Sequence, residues 1–377
     1  MNFSLDEAIK TKIRRASFPD ERRILMVSDI HGHANGLKTL LKQVSFDEKD
    51  ILVIVGDCIE KGPENLETLR YVMMLCEQYT VYPVMGNVDL WRLECLFSND
   101  PAVQREMVDY SLQANEWWSA SFLGEMYEEC GLSLVEPHDT QAVFPLLRKR
   151  FGKEIAFIAS LPTMLETQDM IFVHGGIPHE NLEKLAGTDS RRLMKRDSFM
   201  AEGTSFEKTV VVGHTPTQLY CQAYPCANPV IDLERNIVSL DGGCGVRNDG
   251  QLNLVILPDR LSKEYTYLTW TPQAEIIALD AQQASADSVH TRWGDDEVQV
   301  LGEKDGFATV IHQGRQITLP ASLLHERGGK TCCGNFTDYL LPVKPGDRLP
   351  LVYTTPYGCY AKKDGVTGWY TGRYRSE

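Results

Sequence analysis

Asp29 and His31 stand two residues apart, just after the apolar run Ile24-Leu25-Met26-Val27. A carboxylate and an imidazole held at that spacing beyond a strand's carboxyl end suit a divalent cation. A lone Asp-x-His triplet has little specificity, but the chain repeats the arrangement. Asp57 follows Ile51 to Val55 through Gly56, and Asn87 and Asp89 follow Val81 to Met85 through Gly86. His174 comes directly after Met170 to Val173, and His214 comes after Thr209 to Val212 through Gly213. Together these positions offer enough oxygen and nitrogen donors for two metals, with Asp57 as the natural bridging carboxylate.

The elements that must position them are legible in the same stretches. Continuous apolar runs mark strands covered on both faces. Helical spacing follows the first two, through Leu37, Leu40 and Leu41 and then through Leu66, Leu69, Val72 and Met73. Repeated strand, turn and helix predict an α/β fold whose sheet collects the strand ends in one crevice. The segments NIVSLDGGCG and QLNLVILP close this unit and bring Asp241 to the same rim.

The ordered set D-x-H-G, G-D-x-x-x-x-G-P, G-N-x-D, H-G-G and G-H resembles the calcineurin-like metallophosphoesterase superfamily. Within it, the nearest likeness is to protein serine/threonine phosphatases and bacterial symmetrical dinucleoside tetraphosphatases. The resemblance covers Ile24 to Pro258. It implies a two-layered β-sandwich flanked by helices with a dinuclear site at the strand ends. Asp29, His31 and Asp57 would hold one metal, and Asp57, Asn87, His174 and His214 the other. Mixed Asp, His and Asn ligands suit Mn²⁺, Fe or Zn²⁺ without selecting among them. Pro216 stands where many superfamily members place a further histidine, as in the phosphatase branch.

The resemblance also implies basic groups for the phosphate. Lys61 occupies the place of the family's arginine after G-D, supplying a point charge and no bidentate fork. RRLMKRDSF offers Arg191, Arg192 and Arg196, of which Arg196 is favoured over Arg192. Two departures bear on catalysis. Val88 replaces the histidine that protonates the leaving alcohol in the phosphatases, while Asp89 is retained. His33 is the candidate stand-in, with a hydrogen-bonded turn histidine as the alternative. Glu60 and Lys61 replace Asp and Arg, which alters the expected geometry on the substrate side.

From about 90 to 153 lies an insertion containing Trp91, Trp117, Trp118, Phe122, Tyr127 and the basic run Arg148-Lys149-Arg150. It reads first as a helical subdomain with its own apolar contacts, and second as a cap with aromatics for a base and cations for phosphate. After Pro258 the pattern changes to short β-like runs between Gly, Pro and Asp turns, with Lys-Asp-Gly as a hairpin signal. The G-x-x-G-W-Y stretch near the end resembles bacterial SH3-like barrels. The expected organisation is an arm over 1–20 and a catalytic domain over 21–270. A linker over 271–292 and a small all-β SH3-like module over 293–377 complete it. That module is expected to pack on the catalytic domain or to bind a protein or peptide partner.

Bulk properties set the remaining limits. A chain of 377 residues accommodates a large domain and a smaller module. No apolar run approaches the roughly 20 residues of a membrane span, and the charged N-terminal stretch lacks a signal peptide's apolar core. A net charge of −14 disfavours broad nucleic-acid binding. Ten scattered cysteines fit free thiols in a reducing cytoplasm, and the adjacent Cys332-Cys333 lacks zinc-site spacing. The expected activity is hydrolysis of a phosphate monoester by metal-activated water, as in phosphoprotein phosphatases. Hydrolysis of dinucleoside polyphosphates or phosphodiesters is the first alternative, and a metal-bearing binding protein with little turnover the second.

Overall fold

The computed structural model describes residues 4–117, 119–135, 139–197 and 199–376, so Trp118 lies outside the described residues. The described chain divides into two compact units, one running to 216 and resuming over 229–271, the other formed by 217–228 and the residues from 272 onward.

In the first unit the strands are β1 (Ile13–Arg15), β2 (Ile24–Val27), β3 (Ile51–Val55), β4 (Val81–Val84), β5 (Met164–Glu166), β6 (Met170–Val173), β7 (Thr209–Val212), β8 (Val230–Asp232), β9 (Ile237–Ser239), β10 (Leu252–Leu257) and β11 (Thr266–Trp270). They form a five-stranded sheet in the order β11-β10-β2-β3-β4 and a six-stranded sheet in the order β1-β5-β6-β7-β9-β8. Neighbours β2, β3 and β4 run parallel, as do β6, β7 and β9. Alternation along a strand sends successive side chains to opposite faces. Ile24, Met26, Val53 and Val55 therefore meet Phe172, Val211 and Val238 between the sheets. Leu25, Val27, Leu52 and Ile54 meet Leu37, Leu40, Leu66 and Leu69 on the outer, helix-covered face. The result is the expected metallophosphoesterase-type sandwich flanked by helices.

The helices are α1 (Leu5–Ala8), α2 (Ala34–Gln43), α3 (Asn65–Gln78), α4 (Asn87–Phe97), α5 (Pro101–Trp117), α6 (Phe122–Glu129), α7 (Thr140–Arg150), α8 (Gly152–Ser160) and α9 (Arg191–Met194). Helices α4 to α8 make up the insertion, but among the described residues it has no separate core. Leu93, Leu96, Phe122, Met126, Phe144, Leu147 and Ile155 join the same apolar cluster as the outer face of the first sheet. Of its basic run, Arg148 is drawn into that packing, its Nη1 donating to the Leu96 carbonyl at 2.6 Å, while Lys149 and Arg150 stay exposed, Arg150 lying 3.6 Å from Glu129. The N-terminal stretch read as an arm supplies β1, which pairs in parallel with β5 at the sheet edge.

Among the described residues the second unit is all β apart from two short helical turns, Thr217–Leu219 and Ala321–Leu323. A five-stranded sheet combines Glu275–Ala278, Arg348–Thr355, Gly358–Lys363, Val366–Tyr370 and Tyr374–Ser376, and a meander runs through Gln299–Lys304, Phe307–His312 and Arg315–Pro320. The turns at Asp305-Gly306 and Asp364-Gly365 carry positive φ at both residues, which suits a tight hairpin. The stretch expected as a linker holds the strand Glu275–Ala278, paired with Arg348–Pro350 on one side and Tyr374–Ser376 on the other. Cys226 bridges to Val366, which draws 217–228 into this unit. No helix among the described residues is long and apolar enough to cross a membrane.

Candidate metal centre

The loops that follow β2 and β3 are locked to one another before any side chain acts. Asp29 N–H donates to the Gly56 carbonyl, His31 N–H to that of Asp57 and Gly32 N–H to that of Cys58, at 3.1, 3.0 and 2.9 Å. This ladder holds Asp29, His31 and Asp57 at φ of 51°, 44° and 51°. Left-handed backbone at non-glycine residues costs about 1–3 kcal/mol each and persists where the surroundings over-determine it. His214, at φ 69°, is held the same way by its backbone N–H on Asp29 Oδ2 at 3.0 Å. Only glycine fits at position 86, where a Cβ would stand 2.0 Å from Asp57 Oδ1.

On that frame the donors converge. His31 Nε2 lies 3.8 Å from Asp29 Oδ1 and 3.8 Å from Asp57 Oδ2. His174 Nε2 lies 3.3 Å from Asp57 Oδ2, 3.9 Å from Asp29 Oδ1 and 3.1 Å from Asn87 Oδ1. The rings of His174 and His214 stand edge to face at 5.3 Å. Asp29, His31 and Asp57 each present a ligand atom within 4.8 Å of the others. Carbonyls set the imidazoles: His31 Nδ1 faces Ile59 at 3.1 Å and His174 Nδ1 faces Val55 at 2.8 Å. With Nδ1 held at a carbonyl, each ring turns Nε2 toward the cluster.

Electrostatics express the same crowding of donors. Burial, with the Asp57 charge nearby, pushes Asp29 up to about 6. Burial and the adjacent Lys61 ammonium bring His31 down to about 3, so its ring is neutral. Burial works against ionising Asp57 and His174, yet their mutual attraction outweighs it, keeping Asp57 below the usual carboxylate range and raising His174 to about 10. His214 is pushed down by burial and by His174. Buried carboxylates that draw a proton onto His174, with the neutral His31 ring beside them, mark a place where a divalent cation would take over that charge balance.

The other residues singled out in the sequence are placed as follows. Asp89 accepts the backbone N–H groups of Asp57, Cys58 and Gly86 at 3.0, 3.2 and 3.0 Å, and burial raises it to about 7. It braces the Asp57 loop from behind against the first turn of α4. Lys61 Nζ reaches to 3.2 Å from His31 Nε2. Arg196 is engaged by Glu202 at 2.7 Å, one residue before Asp197, whose Oδ1 lies 2.6 Å from His214 Nε2. His33 is buried in the turn, with Nδ1 3.1 Å from the Ile30 carbonyl and its ring 5.7 Å from that of Trp270. Glu60 does not face the substrate side: it is fully buried, its Oε1 2.5 Å from Arg92 Nε and accepting the Phe122 N–H at 3.0 Å.

Two residues of the surroundings carry no signal in the sequence, and a third, Asp241, carries only its position. Asp197 lies in the run RRLMKRDSF, where the arginines carry the expected phosphate contact and the aspartate has no sequence signal of its own. Arg92 sits among apolar positions of α4, where nothing local reveals its partner. Asp241 was seen near the rim; it is buried, accepts the Gly243 N–H at 2.7 Å, and is raised well above the carboxylate range by burial and by Asp29.

A sandwich of two sheets with Asp, His and Asn donors gathered beyond the ends of its parallel strands defines a metallohydrolase-type α/β protein. The sequence pattern of calcineurin-like phosphoesterases matches residues 22–240, and the chain belongs to that family. Among curated relatives, the symmetrical bis(5'-nucleosyl)-tetraphosphatase of Colwellia psychrerythraea is 48% identical over 68 residues, 18% of this chain and 23% of that protein. The enzyme of the same name from Vibrio cholerae is 38% identical over 90 residues, 24% of this chain and 33% of that protein. The chain thus spans a quarter to a third of the length of these relatives. A solved structure of a candidate diadenosine tetraphosphatase covers 70% of this chain and 99% of its own at 17% identity and a TM-score of 0.44.

Proposed function

We propose that the protein hydrolyses a phosphoanhydride or phosphate ester with metal-activated water in this crevice. The observation that carries the reading is the convergence of Asp29, His31, Asp57, Asn87 and His174 on one buried point, with His214 beside it. Two divalent cations, Mn²⁺, Fe or Zn²⁺, would supply a hydroxide at neutral pH and polarise the phosphoryl oxygens. In this reading Asp29, His31 and Asp57 hold one cation, and Asp57, Asn87, His174 and His214 the other. Asp89 is a positioning residue that fixes Asp57, and Asp197 does the same for the His214 ring. Lys61 meets a phosphate oxygen as a point charge, and Arg196 is the second cation offered to the substrate. His33, held neutral by burial and bonded within its own turn, shapes the loop that carries His31.

The leaving group separates the substrate classes. A serine alkoxide needs a proton as it departs, and general acids contribute about 10²–10⁴-fold to such steps. Valine at position 88 has none to give. A phosphate leaving from a polyphosphate chain needs no such help, which favours a dinucleoside polyphosphate or similar anhydride over a phosphoprotein. The names of the relatives matched over part of the chain agree with that preference.

The test is to load the protein with Mn²⁺ and compare a dinucleoside tetraphosphate, an aryl monophosphate, an aryl diester and a phosphoserine peptide. The expected order puts the tetraphosphate and the aryl esters well above the phosphopeptide, with turnover lost in Asp57→Asn. Rapid phosphopeptide turnover would return the phosphoprotein reading. No metal-dependent turnover of any substrate would leave a binding role.

A further inference from the structure

The second unit contains another group of metal-type donors, built without reference to the strand-end crevice. Asp296, His325 and Cys332 each present a ligand atom, and these atoms all lie within 4.8 Å of one another. Three chain segments bring them together. The hairpin Leu324–Arg327 and Lys330–Cys333 pairs His325 directly with Cys332. On the other edge of Lys330–Cys333, Glu297 bridges to Cys332, so its neighbour Asp296 arrives from a third segment. The Cys333 N–H donates to the Asp296 carbonyl at 2.8 Å and fixes that arrival.

Alternation along the strand explains why two adjacent cysteines differ. Cys333 packs in the apolar cluster with Val298 and Phe336, which sends Cys332 to the opposite face, beside His325. Cys332 is 2% exposed and Asp296 6% exposed, whereas His325 is exposed. His325 Nδ1 stands 3.4 Å from the Leu323 carbonyl, and a ring protonated there keeps Nε2 free for a ligand bond. Arg327 donates to Asp296 Oδ1 at 2.6 Å, which still leaves the second carboxylate oxygen. Thiolate, imidazole and carboxylate together form a borderline-soft set, the chemistry of Zn²⁺ and its neighbours and not of Mg²⁺ or Ca²⁺.

We propose that Asp296, His325 and Cys332 form a mononuclear site for a thiophilic divalent cation of the zinc class. The cation staples the hairpin to the segment at Asp296–Glu297 and keeps one coordination position for solvent or a further ligand. Residue spacing along the chain could not reveal this site, because its donors come from three paired segments and the Cys-Cys dipeptide supplies only one of them.

The test uses Co²⁺ as the probe on the full-length protein after chelator treatment. The donors of the strand-end centre are oxygen and nitrogen, so a thiolate-to-cobalt charge-transfer band in the near ultraviolet distinguishes the two sites. The expected result is a band whose plateau intensity corresponds to one thiolate-bound cobalt per chain, that persists in Cys333→Ser and Asp57→Asn, and that vanishes in Cys332→Ser. His325→Ala, at an exposed position that tolerates substitution, should raise the cobalt concentration at half-saturation at least ~10-fold. Absence of the band in the unmodified protein, or a band unchanged in both Cys332→Ser and His325→Ala, overturns the proposal. Because the readout is a spectrum and not turnover, the hydrolase reading can fail while this site stands, and the reverse.

Discussion

Val88 is the residue at which this crevice parts most clearly from a phosphatase. It lies on the first turn of α4 between Asn87 and Asp89, and its backbone N–H donates to Asp57 Oδ1 at 3.0 Å. That bond belongs to the main chain, so Val88→His should leave Asp57 in place while adding an imidazole beside the reacting centre. The expected outcome is a rise in phosphoserine turnover of about 10²-fold, with little change on a dinucleoside tetraphosphate. Steady-state kcat on the two substrates checks it; equal effects on both would show that proton donation does not limit the monoester. The candidate ligand residues were legible because each lies within a few residues of a strand's end, and the two sheets bring those ends together. Asp197 was not, since its meaning lies in a bond to His214, seventeen residues further along.

At the scale of elements, the buried pair Glu60–Arg92 shows how the loop after β3 is held. Both side chains are 0% exposed, and the guanidinium also stacks 3.9 Å from the ring of Trp91 and 4.8 Å from that of Tyr110. Glu60 accepts the N–H of Phe122 as well, so one carboxylate joins the β3 loop to α4 and to the start of α6. Ser119 N–H adds a bond to the Lys61 carbonyl at 3.0 Å. The insertion therefore braces the loop that carries Asp57 and Lys61, a role that neither its aromatic content nor its helical spacing disclosed. Arg92→Met would leave a buried, unpaired carboxylate, and loss of one partner of such a pair costs roughly 3–5 kcal/mol. Adding Glu60→Gln should recover much of that loss. Denaturant midpoints of the single and double variants check this, and additive losses would mean that the two groups do not act as a pair.

At the scale of the whole molecule, the chain carries two units with separate apolar cores. Ile24, Val53 and Phe172 belong to one, and Ile276, Leu349 and Tyr370 to the other. The division was only partly readable. Hairpins in the second unit announce themselves through Asp-Gly turns, but Glu275–Ala278 and 217–228 find their partners about 70 to 140 residues away, beyond any local pattern. Separate cores predict thermal unfolding that is not two-state. On the two metal assignments proposed above, each transition should answer to its own cation, because a ligand that binds only the native form stabilises it by RT ln(1 + [L]/Kd), about 2.7 kcal/mol at 100-fold excess over Kd. A chelator should then lower both transitions in the unmodified protein. Asp57→Asn should abolish the response of one and leave the other, while His325→Ala should do the opposite. Scanning calorimetry with and without chelator reads all four cases. A single transition whose calorimetric and van't Hoff enthalpies agree would show that the two cores unfold as one, and a chelator response lost from both transitions in either variant would show that the cations do not act on separate units.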